Sequence, residues 1–190
     1  MLNWYLQSGN DSDVVKSTRI RFARNLNNIP FACKYTSEQA EEVIKLVSNA
    51  IKNLKYGLRI VRLRDLDDIT KLSLIEKHLV SPEFAINKNN IGAIAINDDE
   101  NICIMINEED HMRIQILSAG LDLENLLNLG MEIDKELESL LEYAYSERYG
   151  FLTSCLSNVG TGLRASVMVH LPGLTYTRKY KKSIKGCKWI

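Results

Sequence analysis

The chain is 190 residues long, with 24 basic and 24 acidic side chains and no net formal charge. That length suits a single domain, and 45% hydrophobic with 25% charged residues is an ordinary globular composition that excludes a disordered tail. Neutrality argues against generic nucleic-acid binding and leaves only a local basic patch to be sought among the strands.

The opening residues MLNWYLQSGNDSD lack a basic segment followed by an apolar core, so no signal peptide is expected. No apolar run approaches the ~20 residues needed to cross a bilayer. Cys33, Cys103, Cys155 and Cys187 form no CxxC pair, and no His stands at zinc-finger spacing, so no structural metal is expected. A cytoplasmic protein with reduced thiols follows as the expectation.

VVKSTRIRFARN (14–25) alternates as a strand, sending Ser17, Arg19 and Arg21 one way and Thr18, Ile20 and Phe22 the other. A helix is predicted over 36–56: Thr36 and Gln39 form a capping box, and Ala40, Val43, Ile44, Val47, Ile51 and Leu54 recur at helical spacing up to Gly57. LRIVRLR (58–64) reads as a strand, and a short helix near 66–79 ends before Ser81-Pro82. His78 lies at that helix end, where a protonated ring would meet the dipole favourably.

IGAIAI (91–96) and NICIMIN (101–107) flank the polar turn NDDE and predict a hairpin. MINEEDHMRIQI (105–116) reads as a strand with Glu109, His111, Arg113 and Gln115 on one face and Asp110, Met112, Ile114 and Ile116 on the other. A helix is predicted over 122–147, with a Leu/Ile stripe and Gly130 marking a break or a close packing contact. FLTSC, the small-residue loop SNVGTG (157–162) and the strand RASVMVHL (164–171) follow. Arg164, Ser166, Met168 and His170 oppose Ala165, Val167, Val169 and Leu171 along that strand. The fold class expected is α+β, an antiparallel sheet with helices covering one face.

If the strands share one sheet, Arg19, Arg21, Arg113 and Arg164 project from one surface. Such a cluster suits a polyphosphate, because each planar fork makes bidentate, charge-assisted bonds. The competing reading is a solvated face whose guanidiniums pair with Glu108, Glu109 and other acids. Neither GxxxxGK[ST] nor GxGxxG occurs. Glu109 beside the cluster could hold or deprotonate a cationic substrate, or simply bridge to Arg113. Cys155 precedes a loop whose free amides could hydrogen-bond an anion, or is a small buried hydrophobe.

STRIRFARN, NEEDHMRIQ and LTSCLSNVGTGLRASVMVHLP occur in that order and resemble signatures of the ATP:guanido phosphotransferases, the family of creatine and arginine kinases. The similarity covers roughly residues 10 to 174. The short lead before STRIR and the stretch GTGLRASVM are similar to the bacterial members that phosphorylate arginine side chains in proteins. The resemblance implies a glutamine-synthetase-like catalytic domain, ATP as donor, and Mg²⁺ held mainly through the nucleotide phosphates. It further implies protein substrates with exposed arginine, marking for Clp-type degradation in a stress response, an activator protein and Clp components as partners, and a homodimer; neither membrane nor direct nucleic-acid binding is implied.

By the same resemblance the ATP-binding residues are Ser17, Thr18, Arg19, Ile20, Arg21, His78, Arg113, Arg164, Ala165, Ser166, Val167 and Met168. Glu109 orients the substrate guanidinium and accepts its proton, and Cys155 is a reactive thiol beside it.

The chain departs from the family pattern in two places. Leu156 and Ser157 stand where Pro-Thr is usual, and nothing matches the family's later RGxxGE-like loop. Residues 1–174 therefore read as a partial catalytic domain, incomplete at its C-terminus. Residues 175–190, TYTRKYKKSIKGCKWI, read as a divergent basic tail of frameshifted origin or as a basic surface helix. Two alternatives to a protein kinase remain open: an inactive nucleotide-binding or interaction module, and a free-arginine phosphagen kinase.

Overall fold

In a computed structural model, residues 3–87 and 91–177 are described, and the account below concerns those. Most of the basic stretch, with Cys187, lies outside them. The strands are β1 (Val15–Arg24), β2 (Arg59–Arg62), β3 (Ala93–Ile96), β4 (Ile102–Ile106), β5 (Met112–Ala119), β6 (Tyr145–Ser146), β7 (Gly150–Phe151) and β8 (Leu163–Val169). The helices are α1 (Ser37–Ile51), α2 (Asp68–Glu76), α3 (Pro82–Ile86), α4 (Leu123–Glu138) and α5 (Pro172–Tyr176).

Six strands form one antiparallel sheet in the order β2-β3-β4-β5-β1-β8, while β6 and β7 pair separately. The hairpin predicted around NDDE is β3–β4. β1 is interior, flanked by β5 and β8, two segments distant in sequence.

Each helix has a local cause. Thr36 accepts from the Gln39 amide while the Gln39 side chain accepts from the Thr36 amide, so the capping box forms as the sequence implies. Asp67 and Ser81 cap α2 and α3 by accepting from the Thr70 and Phe84 amides, without a reciprocal bond. α4 ends at Glu138, short of the predicted 147; Tyr143 and Ala144 are buried by packing outside the helix, and the apolar spacing that suggested a longer one continues only by coincidence. Gly130 marks a close contact: a Cβ there would stand 2.5 Å from Phe22 Cε2.

The sheet is buried on both faces, not one as expected. Ile20, Phe22, Ile104, Ile114 and Ile116 meet the stripes of α1 and α4. On the opposite face Ile94, Ile96, Cys103, Met105 and Leu117 meet Leu63, Leu74, Leu79, Phe84 and Trp4 from the α2–α3 region and the N-terminal turn. Both residue parities of β3 and β4 are apolar and fully buried, which requires cover on each side. That second cover lies over the β2–β5 half of the sheet, leaving the same face of β1 and β8 open. No helix among the described residues is long and apolar enough to cross a membrane.

Candidate active site

The register of β1 decides which side chains gather on the open face. Arg21 lies directly opposite Gln115 of β5 and Arg164 of β8; Arg19 lies opposite Leu117 and Ser166; Ala23 lies opposite Arg113. Directly opposed residues project to the same face of an antiparallel sheet, so Arg19, Arg21, Arg113 and Arg164 share one surface.

Only Arg113 is neutralised. Its guanidinium contacts Glu108 at 2.8 Å and Glu109 at 2.9 Å. Arg19 makes a long bond from Nε to Ser166 Oγ at 3.4 Å, and among the described residues no salt bridge engages Arg19, Arg21 or Arg164. Partial burial, then repulsion from Arg19, Arg113 and Arg164, push Arg21 down to about 10. Arg19 is lowered by burial and by Arg164 and Arg113. Both guanidiniums stay charged at neutral pH, so the face holds an uncompensated positive field that an anion would relieve.

The stretch expected as a continuous strand is broken. β4 ends at Ile106, Asn107 takes φ 63°, and its amide donates to the His111 carbonyl, closing a five-residue turn before β5. The acids therefore sit on a turn, where Glu109 stays exposed while Asp110 is buried. Glu109 reaches the Arg face from this turn, not from a strand. His111 turns inward, completely buried: its Nδ1 accepts from the Leu26 amide at 3.0 Å and its Nε2 lies 3.0 Å from the Pro30 carbonyl. Gln115 is buried as well and donates to the His78 carbonyl at 2.8 Å.

Cys155 lies beside the same cluster. A cavity of about 170 Å³ is bordered by Arg21, Glu109, Arg113, Cys155, Ser157 and Arg164, bringing five predicted residues to one place. The cysteine loop is stitched onto β1: the Ala23 amide donates to Gly162 O at 2.9 Å, and Arg24 Nη1 donates to Thr161 O at 2.9 Å. Gly162 has φ 62°, and a Cβ there would fall 2.4 Å from Arg24 Nη1, so glycine alone permits this seam.

The idea of free loop amides is corrected: those of Asn158, Val159, Gly160 and Gly162 donate within the loop or to Phe151. Cys155 Sγ instead meets Ser157 Oγ at 3.0 Å, a residue that the sequence reading treated only as a departure.

Ser17, Arg19, His78, Ser166, Val167 and Met168 border a second cavity of about 270 Å³ further along β1, and Ser17, His78 and Met168 also line a larger one beside Trp4. His78 is held there by a left-handed turn. With φ 59° it follows α2, where the Leu79 amide donates to Leu74 O and the His78 amide to Ile75 O, the Schellman pattern.

Three of the residues expected at the nucleotide have side chains that point away from the arginines. Thr18 and Ile20 alternate to the core face; Thr18 Oγ1 donates to Gly120 O at 2.6 Å, and Ile20 packs under α4 and α1. Ala165, opposite Ile20, also points away from the arginines, and Val167 borders the cavity although its side chain shares Thr18's parity. Because β1 is paired on both sides, Thr18 and Ile20 have no spare backbone to offer either.

The sequence named Glu108 only as a solvated-face partner of the guanidiniums and gave Asp110 no role, yet both hold the site. Glu108, which fixes Arg113, also accepts from Ser81 Oγ at 2.8 Å. Buried Asp110 accepts from Asn25 Nδ2 at 2.7 Å and the Ser154 amide at 2.6 Å. Asn107 was the available signal, an αL-tolerant residue before three acids.

A family model described as "ATP:guanido phosphotransferase, C-terminal catalytic domain" matches residues 41–190. A protein-arginine kinase of Brevibacillus brevis is 43% identical over 193 residues, covering 99% of this chain and 54% of the relative. One from Geobacillus kaustophilus is 44% identical, covering 95% and 51% respectively. One from Clostridium tetani is 39% identical over 100% of this chain and 56% of its own length. The chain thus spans about half the length of the curated relatives it matches.

Among solved structures, the substrate-free duplicated taurocyamine kinase of Schistosoma mansoni superposes with a TM-score of 0.78 at 29% identity, over 91% of this chain and 27% of that one. A lombricine kinase gives 0.76 at 26% identity, over 95% and 54%.

Proposed function

Because the chain belongs to the ATP:guanido phosphotransferases, matching their C-terminal catalytic domain over residues 41–190, we propose that it transfers the γ-phosphoryl group of ATP to arginine side chains in proteins. The observation that carries this reading is the meeting of Arg21, Arg113 and Arg164 with Glu109 and Cys155 around one cavity. The similarity to bacterial protein-arginine kinases favours a protein-borne arginine as acceptor.

The chemistry asks little covalent help of the protein. Phosphoryl transfer needs charge neutralisation and in-line alignment. Arg21, Arg113 and Arg164 hold the phosphates, and Arg19, Ser17, Ser166, Met168 and His78 receive the nucleoside end along β1. Glu108 and Glu109 are engaged by Arg113, so a magnesium ion would be held mainly through the nucleotide phosphates, where it would supply charge neutralisation.

The acceptor guanidinium is a cation and must lose a proton before its nitrogen attacks. Glu109 orients it and takes that proton; the N–P bond forms as the bond to the departing ADP oxygen breaks. Cys155, with Ser157 at its sulfur, lines the acceptor side.

We further propose, from the family resemblance of the sequence motifs alone, that the phosphoarginine product marks proteins for Clp-type degradation in a cytoplasmic stress response, with an activator protein, Clp components and a second copy of the chain as partners. The test is incubation of the purified chain with γ-labelled ATP and an arginine-rich protein, reading acid-labile phosphate. Transfer to protein supports the proposal. Transfer to free arginine alone indicates a phosphagen kinase, and ATP binding without any transfer indicates a nucleotide-binding module.

A further inference from the structure

The turn carrying Glu109 and the loop carrying Cys155 come from segments more than forty residues apart, and one buried carboxylate joins them. Asp110 is fully buried beside Glu109. Its Oδ1 accepts from the Ser154 amide at 2.6 Å, the residue before Cys155, and from Asn25 Nδ2 at 2.7 Å. Asn25 extends the link: its Nδ2 also donates to Leu152 O at 3.1 Å, and its Oδ1 accepts from the His111 amide at 2.8 Å. The end of β1, the acidic turn and the cysteine loop therefore converge on one oxygen atom.

The remaining atoms of this junction are not optimised for stability. Asp110 Oδ2 and Ser154 Oγ are both buried with no hydrogen-bond partner. Buried polar groups left unpaired are costly and call for an explanation. A side chain selected only to pack here would not be a carboxylate; one selected to place a short acceptor between two loops would be.

Resting on the transfer reading above, we propose that Asp110 is a positioning residue that sets the separation of Glu109 and Cys155 through Oδ1, and that its geometry, not its charge, is what the reaction uses. Asparagine keeps an oxygen at that point and puts an amide where the unpartnered oxygen stands. Alanine removes the acceptor.

The test compares D110N and D110A in the full chain by two readouts. Hydrogen exchange of the 153–158 segment reports the Ser154 amide directly, without reference to catalysis. In D110A exchange there accelerates about tenfold or more, as expected for one lost hydrogen bond, while D110N stays near the parent. The transfer rate constant falls about a hundredfold in D110A, the scale of a small misplacement; the KM for ATP, set by Arg19, Arg21 and Arg164, holds, and D110N recovers most of the rate.

D110N as inactive as D110A, or D110A unchanged in either readout, overturns the proposal. If D110A does not fold, D110N decides alone: retained rate supports positioning and lost rate refutes it. Should the parent phosphorylate no guanidine, the transfer reading fails, while the exchange data still judge the link between turn and loop.

Discussion

Arg21 and Arg164 face each other directly across the β1–β8 ladder, and neither has a carboxylate partner among the described residues. Like charges at directly opposed positions of an antiparallel pair destabilise it. The sheet tolerates this although Glu108 and Glu109 lie close enough to engage Arg113 instead. A face meant only to be solvated would distribute its two carboxylates among four guanidiniums; this one engages both with Arg113 and leaves Arg19, Arg21 and Arg164 without a carboxylate among the described residues. Such a face fits the phosphate-binding role proposed for it.

Replacing Arg164 with alanine therefore separates function from stability. The free protein is expected to gain up to about 0.5 kcal/mol as repulsion on Arg21 falls. ATP affinity is expected to drop about 10- to 100-fold, the scale of a hydrogen bond to a charged group. Thermal denaturation with and without ATP reads both effects. A variant less stable when free, with an undiminished shift on adding ATP, removes the anion role.

Glu109→Gln addresses the acceptor side. Glu108 still holds Arg113 in that variant, so the nucleotide face keeps its shape. Transfer should fall about 10²- to 10⁴-fold, the range for a lost general base, with ATP affinity near the parental value by calorimetry. Transfer at the parental rate would take the proton-accepting role away from this carboxylate.

What was legible in the sequence had a local cause. Strand parity alone put Arg19, Arg21 and Arg164 on one side, because β1 and β8 are regular where those residues lie, and Thr36 with Gln39 announced α1. What was hidden depended on partners distant in the chain. In MINEEDHMRIQI the αL-tolerant Asn107 permits a left-handed turn without requiring one, so alternation carried through the turn exposed His111 and misplaced the strand. The fully paired backbone of β1 at Thr18 and Ile20 follows from its place between β5 and β8, a matter of topology. Asp110's role likewise appears only when Ser154 arrives beside it.

His78 offers an exchange of stability against binding. Its left-handed conformation ends α2, a position where glycine is preferred and a side chain is strained. His78→Gly should stabilise the free fold by up to about 1 kcal/mol, the relief of φ strain being offset in part by glycine's unfolded-state entropy. The same change removes a wall of the cavity lined by Ser17 and Met168 and should weaken ATP binding. Chemical denaturation and ATP titration of the single variant check the two halves. Tighter binding in the glycine variant would remove His78 from the nucleotide site.

His111 makes the acidic turn sensitive to acid. Its Nδ1 accepts from the Leu26 amide, so the neutral ring carries its proton on Nε2, directed at the Pro30 carbonyl. Burial lowers its pKa, with the Pro30 bond and Asp110 opposing that shift only in part. A histidine depressed on folding binds protons more readily when unfolded. Its stabilising contribution is therefore complete above the unfolded value near 6.5, and is lost as the pH falls below that toward the depressed folded value. Denaturation free energy should decline between pH 7 and pH 5 in the parent and decline less in His111→Asn, whose side-chain oxygen can still accept from Leu26. His78 and His170 are exposed and remain in both proteins, so the difference between the two curves isolates His111. Parallel curves would mean that the acid response originates elsewhere. A divergence would tie it to the residue two positions from Glu109, so that acid loosens the turn holding the proposed base.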